Sequence, residues 1–134
     1  MRLYDGGVGK MTILVAGNNV TMINELSDKL RKIKKDAKII VENDALLAGQ
    51  YSFNNDVDVV FAEINMKRMN GVQLIEFVRH EHPLVLSYLV GSKAEFDESP
   101  LIAAEDITNI VVYPLSTEKI RELFSKSEPY EYGR

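Results

Sequence analysis

The sequence predicts an α/β protein with a five-stranded, doubly wound parallel sheet covered by helices on both faces. Three observations predict it. Short apolar runs alternate with segments of helical spacing five times along the chain, the pattern of successive β/α units. The run from Val57 to Ala62 is apolar at all but one position, which implies burial on both faces, as in a parallel sheet. The 134 residues suit one domain, large enough to bury roughly 68% of its unfolded surface without staples.

Thr12 to Ala16 reads as the first strand, short and β-branched. Asn18-Asn19 offers a helix cap, and Ile23, Leu26, Leu30 and Ile33 follow at helical spacing. Lys38 to Val41 is the second strand. Asp44 caps a helix through Ala45, Leu46, Leu47, Ala48 and Tyr51, which Asn54-Asn55 breaks. Val57 to Ala62 is the third strand. Asn70 caps a helix carrying Val72, Ile75 and Val78, and Pro83 ends it. Leu84 to Val90 is the fourth strand.

Pro100 makes the next segment irregular. Proline fits a first helical turn and disrupts an interior. Ser99 as cap then predicts a short helix over Leu101 to Glu105, with Ser92 to Glu98 a loop. Asn109 to Tyr113 is the fifth strand. Ser116 caps a last helix with Ile120, Leu123 and Phe124 inward. Three domain parts follow: residues 1–10 as a flexible leader, 11–126 as the folded domain, and 127–134 as a linker or tail. No internal repeat or low-complexity stretch is visible.

Composition narrows the chemistry. There is no cysteine, which excludes disulfides, thiol catalysis and thiolate metal sites. No apolar run approaches the ~20 residues that cross a bilayer, and no apolar signal segment opens the chain. Cytoplasmic residence and no membrane partner are expected. The net charge of −4 argues against a dedicated nucleic-acid binder. Lys29, Arg31, Lys32, Lys34, Lys35 and Lys38 form a local basic stretch, read as a solvated helix end favoured by the C-terminal dipole.

Two motifs are decoys. Gly6 to Thr12 (GGVGKMT) resembles part of a phosphate-binding loop. Tyr4 holds its first glycine position, Met11 stands where a hydroxyl should be, and a strand rather than a helix follows. His80-Glu81-His82 tempts a metal reading, but residues two apart do not share a helix face. Tyr51, Phe53, Phe96 and Tyr113 are too scattered for a base-stacking platform. Met22, Met66 and Met69 suit adaptable packing.

In open parallel sheets, ligands sit at the carboxyl ends of the strands. Those ends are Gly17-Asn18, Glu63, Gly91 and Tyr113. The third strand runs into VVFAEINMKRMNG: an apolar run, a carboxylate, then a loop with Asn-Gly.

With five β/α units, an acid closing the third strand and INMKRMNG after it, the chain resembles the receiver domain of two-component response regulators from Thr12 to about Lys126. Val112-Tyr113-Pro114 resembles the family's Lys-Pro step, and Gly91 and Tyr113 are 22 residues apart, like the family's Thr/Ser and Lys. The resemblance implies a CheY-like, flavodoxin-like (βα)5 fold with strand order 2-1-3-4-5. It also implies five chemical positions: two acids for magnesium, an aspartate for the phosphoryl group, a Thr/Ser and a Lys. Here these are Gly17, Asn18, Glu63, Gly91 and Tyr113, and none keeps the family's residue.

Magnesium wants near-octahedral oxygen donors with one or two carboxylates. Phosphoryl transfer needs neutralised equatorial oxygens, and Gly91 and Tyr113 bring no cation. The expectation is a non-catalytic pseudo-receiver without metal or cofactor. Glu63 is read as a solvated acid accepting backbone N–H bonds, or alternatively as a permanent phosphate mimic. The partner is expected to be a protein, an output domain or a second copy, met through Leu101, Ile102, Tyr113, Ile120 and Phe124. Other readings are the N-terminal receiver of a pilus-assembly ParA/MinD-type ATPase, a divergent phosphorylatable regulator, and a flavodoxin-like small-ligand binder.

Overall fold

A computed structural model describes residues 10–99 and 109–131, with side chains to residue 125. Leu101 and Ile102, the expected helix over Leu101 to Glu105, and nearly all of the expected leader lie outside the described residues.

The described elements are β1 (Thr12–Ala16), α1 (Val20–Ile33), β2 (Lys38–Glu42), α2 (Ala45–Asn54), β3 (Val59–Glu63), α3 (Gly71–Glu81), β4 (Leu86–Ser92), α4 (Lys93–Glu98), β5 (Ile110–Tyr113) and α5 (Thr117–Glu131). The strands form one parallel sheet in the order β2-β1-β3-β4-β5. That is the strand order the receiver resemblance implied. No helix among the described residues is long and apolar enough to cross a membrane.

Period-two alternation splits the core into two layers. Ile13, Val15, Val59, Phe61, Tyr88, Val90 and Val111 face α1 and α5. Leu14, Ala16, Val60, Ala62 and Leu89 face α2 and α3. Phe61 and Tyr88 stack at 4.8 Å between ring centroids at the middle of the first layer. The parity fixes where the strand ends point. Glu63 continues the set of Val59 and Phe61, so its side chain turns toward α1.

The caps read from sequence are present. Asn19 accepts from the Met22 N–H at 3.1 Å, and Asp44 from the Leu46 N–H at 2.8 Å. Asn70 and Gln73 form a reciprocal capping box at α3. Ser116 accepts from the Lys119 N–H at 3.1 Å.

Two expectations need correction. Ser92 to Glu98 is not a loop: Ser92 caps α4 and exchanges bonds with Glu95, Ser92 N–H to Oε1 at 2.8 Å and Glu95 N–H to Oγ at 3.1 Å. Ser99 is the C-cap of that helix. At the far end, α5 runs on to Glu131, through residues read as a tail.

The basic stretch is partly structural. The Lys29 ammonium donates to the Leu115 carbonyl at 2.7 Å, Lys34 sits 4.7 Å over the Phe124 ring, and Arg31 pairs with Asp28 at 3.1 Å. The two histidines go separate ways. His80 meets Glu81 at 3.3 Å, while the His82 ring lies 2.6 Å from the Ser52 carbonyl on α2.

Candidate functional site

The carboxyl ends of β1, β3 and β4 bring Gly17, Asn18, Glu63 and Gly91 to one rim. Glu63 is its centre. The expectation of a solvated acid is wrong in one respect: Glu63 is only 5% exposed. The expected backbone bonds are there. Oε1 accepts from the Asn18 N–H at 2.7 Å and the Asn19 N–H at 3.0 Å. Those amides lead into α1, whose dipole favours an anion at this end.

Two effects oppose each other on this carboxyl. Burial raises its pKa above the usual 4.5, the bonds from Asn19 and Asn18 pull it down, and the Glu95 charge adds to the rise; burial wins. An acid with a raised folded pKa holds its proton more tightly folded than unfolded. Its contribution to stability therefore falls as pH climbs from about 4.5 through the folded pKa. Urea titrations across that window are expected to show a decline that Glu63→Gln lacks. A wild-type slope equal to that of the variant would contradict this balance.

Glycines shape the space around Glu63. A Cβ on Gly17 would stand 2.6 Å from Ile23 Cδ1 and 2.8 Å from Glu63 Oε1. The glutamate's extra methylene, turned toward α1 by strand parity, thus carries its oxygen into the volume a side chain at position 17 would need. A Cβ on Gly91 would meet Ile64 Cγ2 at 2.8 Å and Glu95 Oε1 at 3.2 Å.

Asn18 ties three loops together. Its Nδ2 donates to the Asn43 carbonyl at 2.7 Å, and its Oδ1 accepts the Lys67 backbone N–H at 2.7 Å. Tyr113 belongs to a different cluster. Following the parity of Val111, it faces α1, and its hydroxyl donates to Glu25. That bond raises the Tyr113 pKa, with burial and the Glu25 charge adding to it. The Tyr113–Pro114 bond is cis.

Magnesium does not fit this donor set. Gly17 has neither a side chain nor room for one, the Asn18 carbonyl oxygen is taken by Lys67, and one Glu63 oxygen already takes two amides. Among the described residues, no three acids or histidines gather into a metal cluster.

The partner surface also needs correction. Ile120 and Phe124 are 0% and 3% exposed, packed in the layer between the sheet and α1. The inward reading of these two residues holds, and their burial removes them from the partner surface. On neighbouring β5 the exposed apolar residues are Ile110 and Val112, at 42% and 45%. Alternation about buried Val111 was the signal that could have found them.

No family model matches the chain. A chemotaxis protein CheY homolog of Campylobacter jejuni is 27% identical over 119 residues, covering 84% of this chain and 88% of that protein. The receiver domain of AraT, a response regulator from Geobacillus stearothermophilus, superposes with a TM-score of 0.77 at 16% identity, covering 94% of this chain and 100% of that one. The fold is that of a CheY-like receiver domain. A sensor-kinase receiver domain from Pseudomonas aeruginosa, with magnesium in its active-site cleft, matches this receiver fold with a TM-score of 0.73 at 13% identity, over 88% of this chain and 97% of that one. The relative at 27% identity and the solved structures agree on the CheY-like fold. At the rim of this chain the Asn18 and Asn19 amides meet the acid.

Proposed function

We propose that this receiver is a signalling module of two-component type that acts by protein contact, without phosphoryl transfer through Glu63. One observation carries the reading. The Glu63 carboxylate is folded back onto the Asn18 and Asn19 amides, in the space beside Gly17. An incoming phosphoryl group would have to displace that arrangement. It would find no lysine at position 113 and no hydroxyl at position 91 to take its charge.

The same geometry weighs against a phosphate mimic. A mimic would project its charge toward the rim, whereas this carboxylate is buried and held from behind. Its work on this reading is to fix the β1–α1 loop. The partner is a protein: a kinase, an output domain or a second copy. The exposed Ile110 and Val112 of β5 are the apolar contacts for it.

The test is incubation with acetyl phosphate and Mg²⁺, followed by intact mass. The mass is expected to stay unchanged. A gain of one phosphoryl group, lost in Glu63→Gln, would overturn the proposal and favour a divergent phosphorylatable regulator.

A further inference from the structure

Above the buried acid, the rim opens into a cleft of about 290 Å³ lined by Asn18, Asn43, Asp44, Lys67 and Arg68. No apolar side chain lines it. Receivers that hold a metal need negative charge at this end of the sheet. Here two adjacent cations, Lys67 and Arg68, stand on the β3–α3 loop.

The cleft is held in shape. Asn18 bonds the Asn43 carbonyl on one side and the Lys67 N–H on the other, both at 2.7 Å. Three loops are thereby locked into one rim. Arg68 has a φ of 72°, in the left-handed region that costs a non-glycine residue roughly 1 kcal/mol. Asparagine or glycine would adopt it more readily, yet the position carries a guanidinium.

The charges that face the cleft can be counted by name. Lys67 is exposed, and its ammonium has no partner among the described residues. Arg68 Nη1 lies 3.6 Å from Asp44 Oδ2, too long for a good hydrogen bond. Glu63 lies behind Asn18, with an oxygen already taken by amides. Two cations and one loosely paired carboxylate leave the mouth positive.

We propose that this cleft binds a phosphate-type dianion between Lys67 and Arg68, the guanidinium as a fork and the ammonium as a point charge. The anion would release Asp44 from Arg68. This goes beyond the protein-contact reading and does not depend on it. Inorganic phosphate and the phosphate of a nucleotide share this chemistry.

The experiment follows the amide resonances of Asn18, Asn43, Lys67 and Arg68 during titration with inorganic phosphate, and separately with adenosine monophosphate. Sodium chloride at matched ionic strength is the reference. A saturable shift is expected with phosphate and not with chloride. Tighter binding of the nucleotide would identify a phosphate ester as the ligand, and equal binding would identify the free anion. Lys67→Ala with Arg68→Ala should weaken binding about tenfold or more, the loss of one or two charge-assisted bonds. Asp44→Asn keeps a helix-capping side chain and should tighten it. Shifts that match those of chloride, or that persist undiminished in the double variant, would overturn the proposal. Arg68→Gly serves as a folding control, because glycine accepts the left-handed backbone.

Discussion

Gly17→Asp is expected to destabilise the protein by about 3–5 kcal/mol, read from urea denaturation. The substitution installs the kind of acid that the receiver resemblance implies at this position, so the resemblance alone would predict a mild effect. The local geometry predicts a severe one. A Cβ at this position meets Ile23 Cδ1 at 2.6 Å, Glu63 Oε1 at 2.8 Å and Ile23 Cγ1 at 2.9 Å. Ile23 is a buried core residue and cannot swing away cheaply. A second carboxylate would also lie against the first, in a place too dry to hold both charges. Shortening the neighbour should relieve part of this. Glu63→Ala in the Gly17→Asp background is expected to recover about 1–3 kcal/mol through non-additive coupling. Strict additivity of the two changes would mean that the two positions do not share space.

Gly71→Ala carries the second large effect, an expected loss of about 3 kcal/mol. A Cβ there would lie 2.3 Å from the Glu63 carbonyl oxygen and 2.9 Å from its carbonyl carbon, with Leu89 Cδ1 at 2.7 Å. Backbone, unlike a flexible side chain, has no rotamer in which to retreat. The Gly71 N–H bonds the Ile64 carbonyl at 3.0 Å, so the start of α3 is pinned against the end of β3. Gly49, in the interior of α2, supplies the contrast. Its Cβ would meet the Phe77 ring at 3.6 Å and Leu74 Cδ1 at 4.0 Å, both ordinary contacts. Gly49→Ala should stabilise by about 0.5–1 kcal/mol through helix propensity. Equal effects of the two alanines in thermal or urea melts would refute this reading of the glycines.

These contrasts show which levels of the structure the sequence carried. The strands and the caps at Asn19, Asp44, Asn70 and Ser116 rest on local signals, namely apolar runs, side chains that bond the next turn, and turn residues, whereas the strand order came from the resemblance. All four caps are seen in the structure. The Ser92–Glu95 box was equally local and was obscured by Pro100, because a proline eight residues after the cap says nothing about a helix that ends before it. The burial of Glu63 was of another kind. Its direction follows from strand parity with Phe61. Its depth depends on a void at Gly17 that becomes visible only when β1 and β3 are laid side by side. The cleft needed longer reach again. Lys67 and Arg68 are separated from Asn43 and Asp44 by more than twenty residues, and the bonds of Asn18 join them. Ile120 and Phe124 lie on the inward stripe that spacing predicts, and their burial against α1 takes them off the partner surface. Spacing marks a stripe, but the neighbour decides whether that stripe faces a core or a partner.

The account rests on the Glu63 carboxylate being held by the chain's own amides instead of serving an external cation. Magnesium titration, followed at the Asn18 and Asn19 amide resonances, tests this most directly. Those resonances are expected to move no more with Mg²⁺ than with sodium at equal ionic strength. A saturable one-to-one shift that disappears in Glu63→Gln would contradict it.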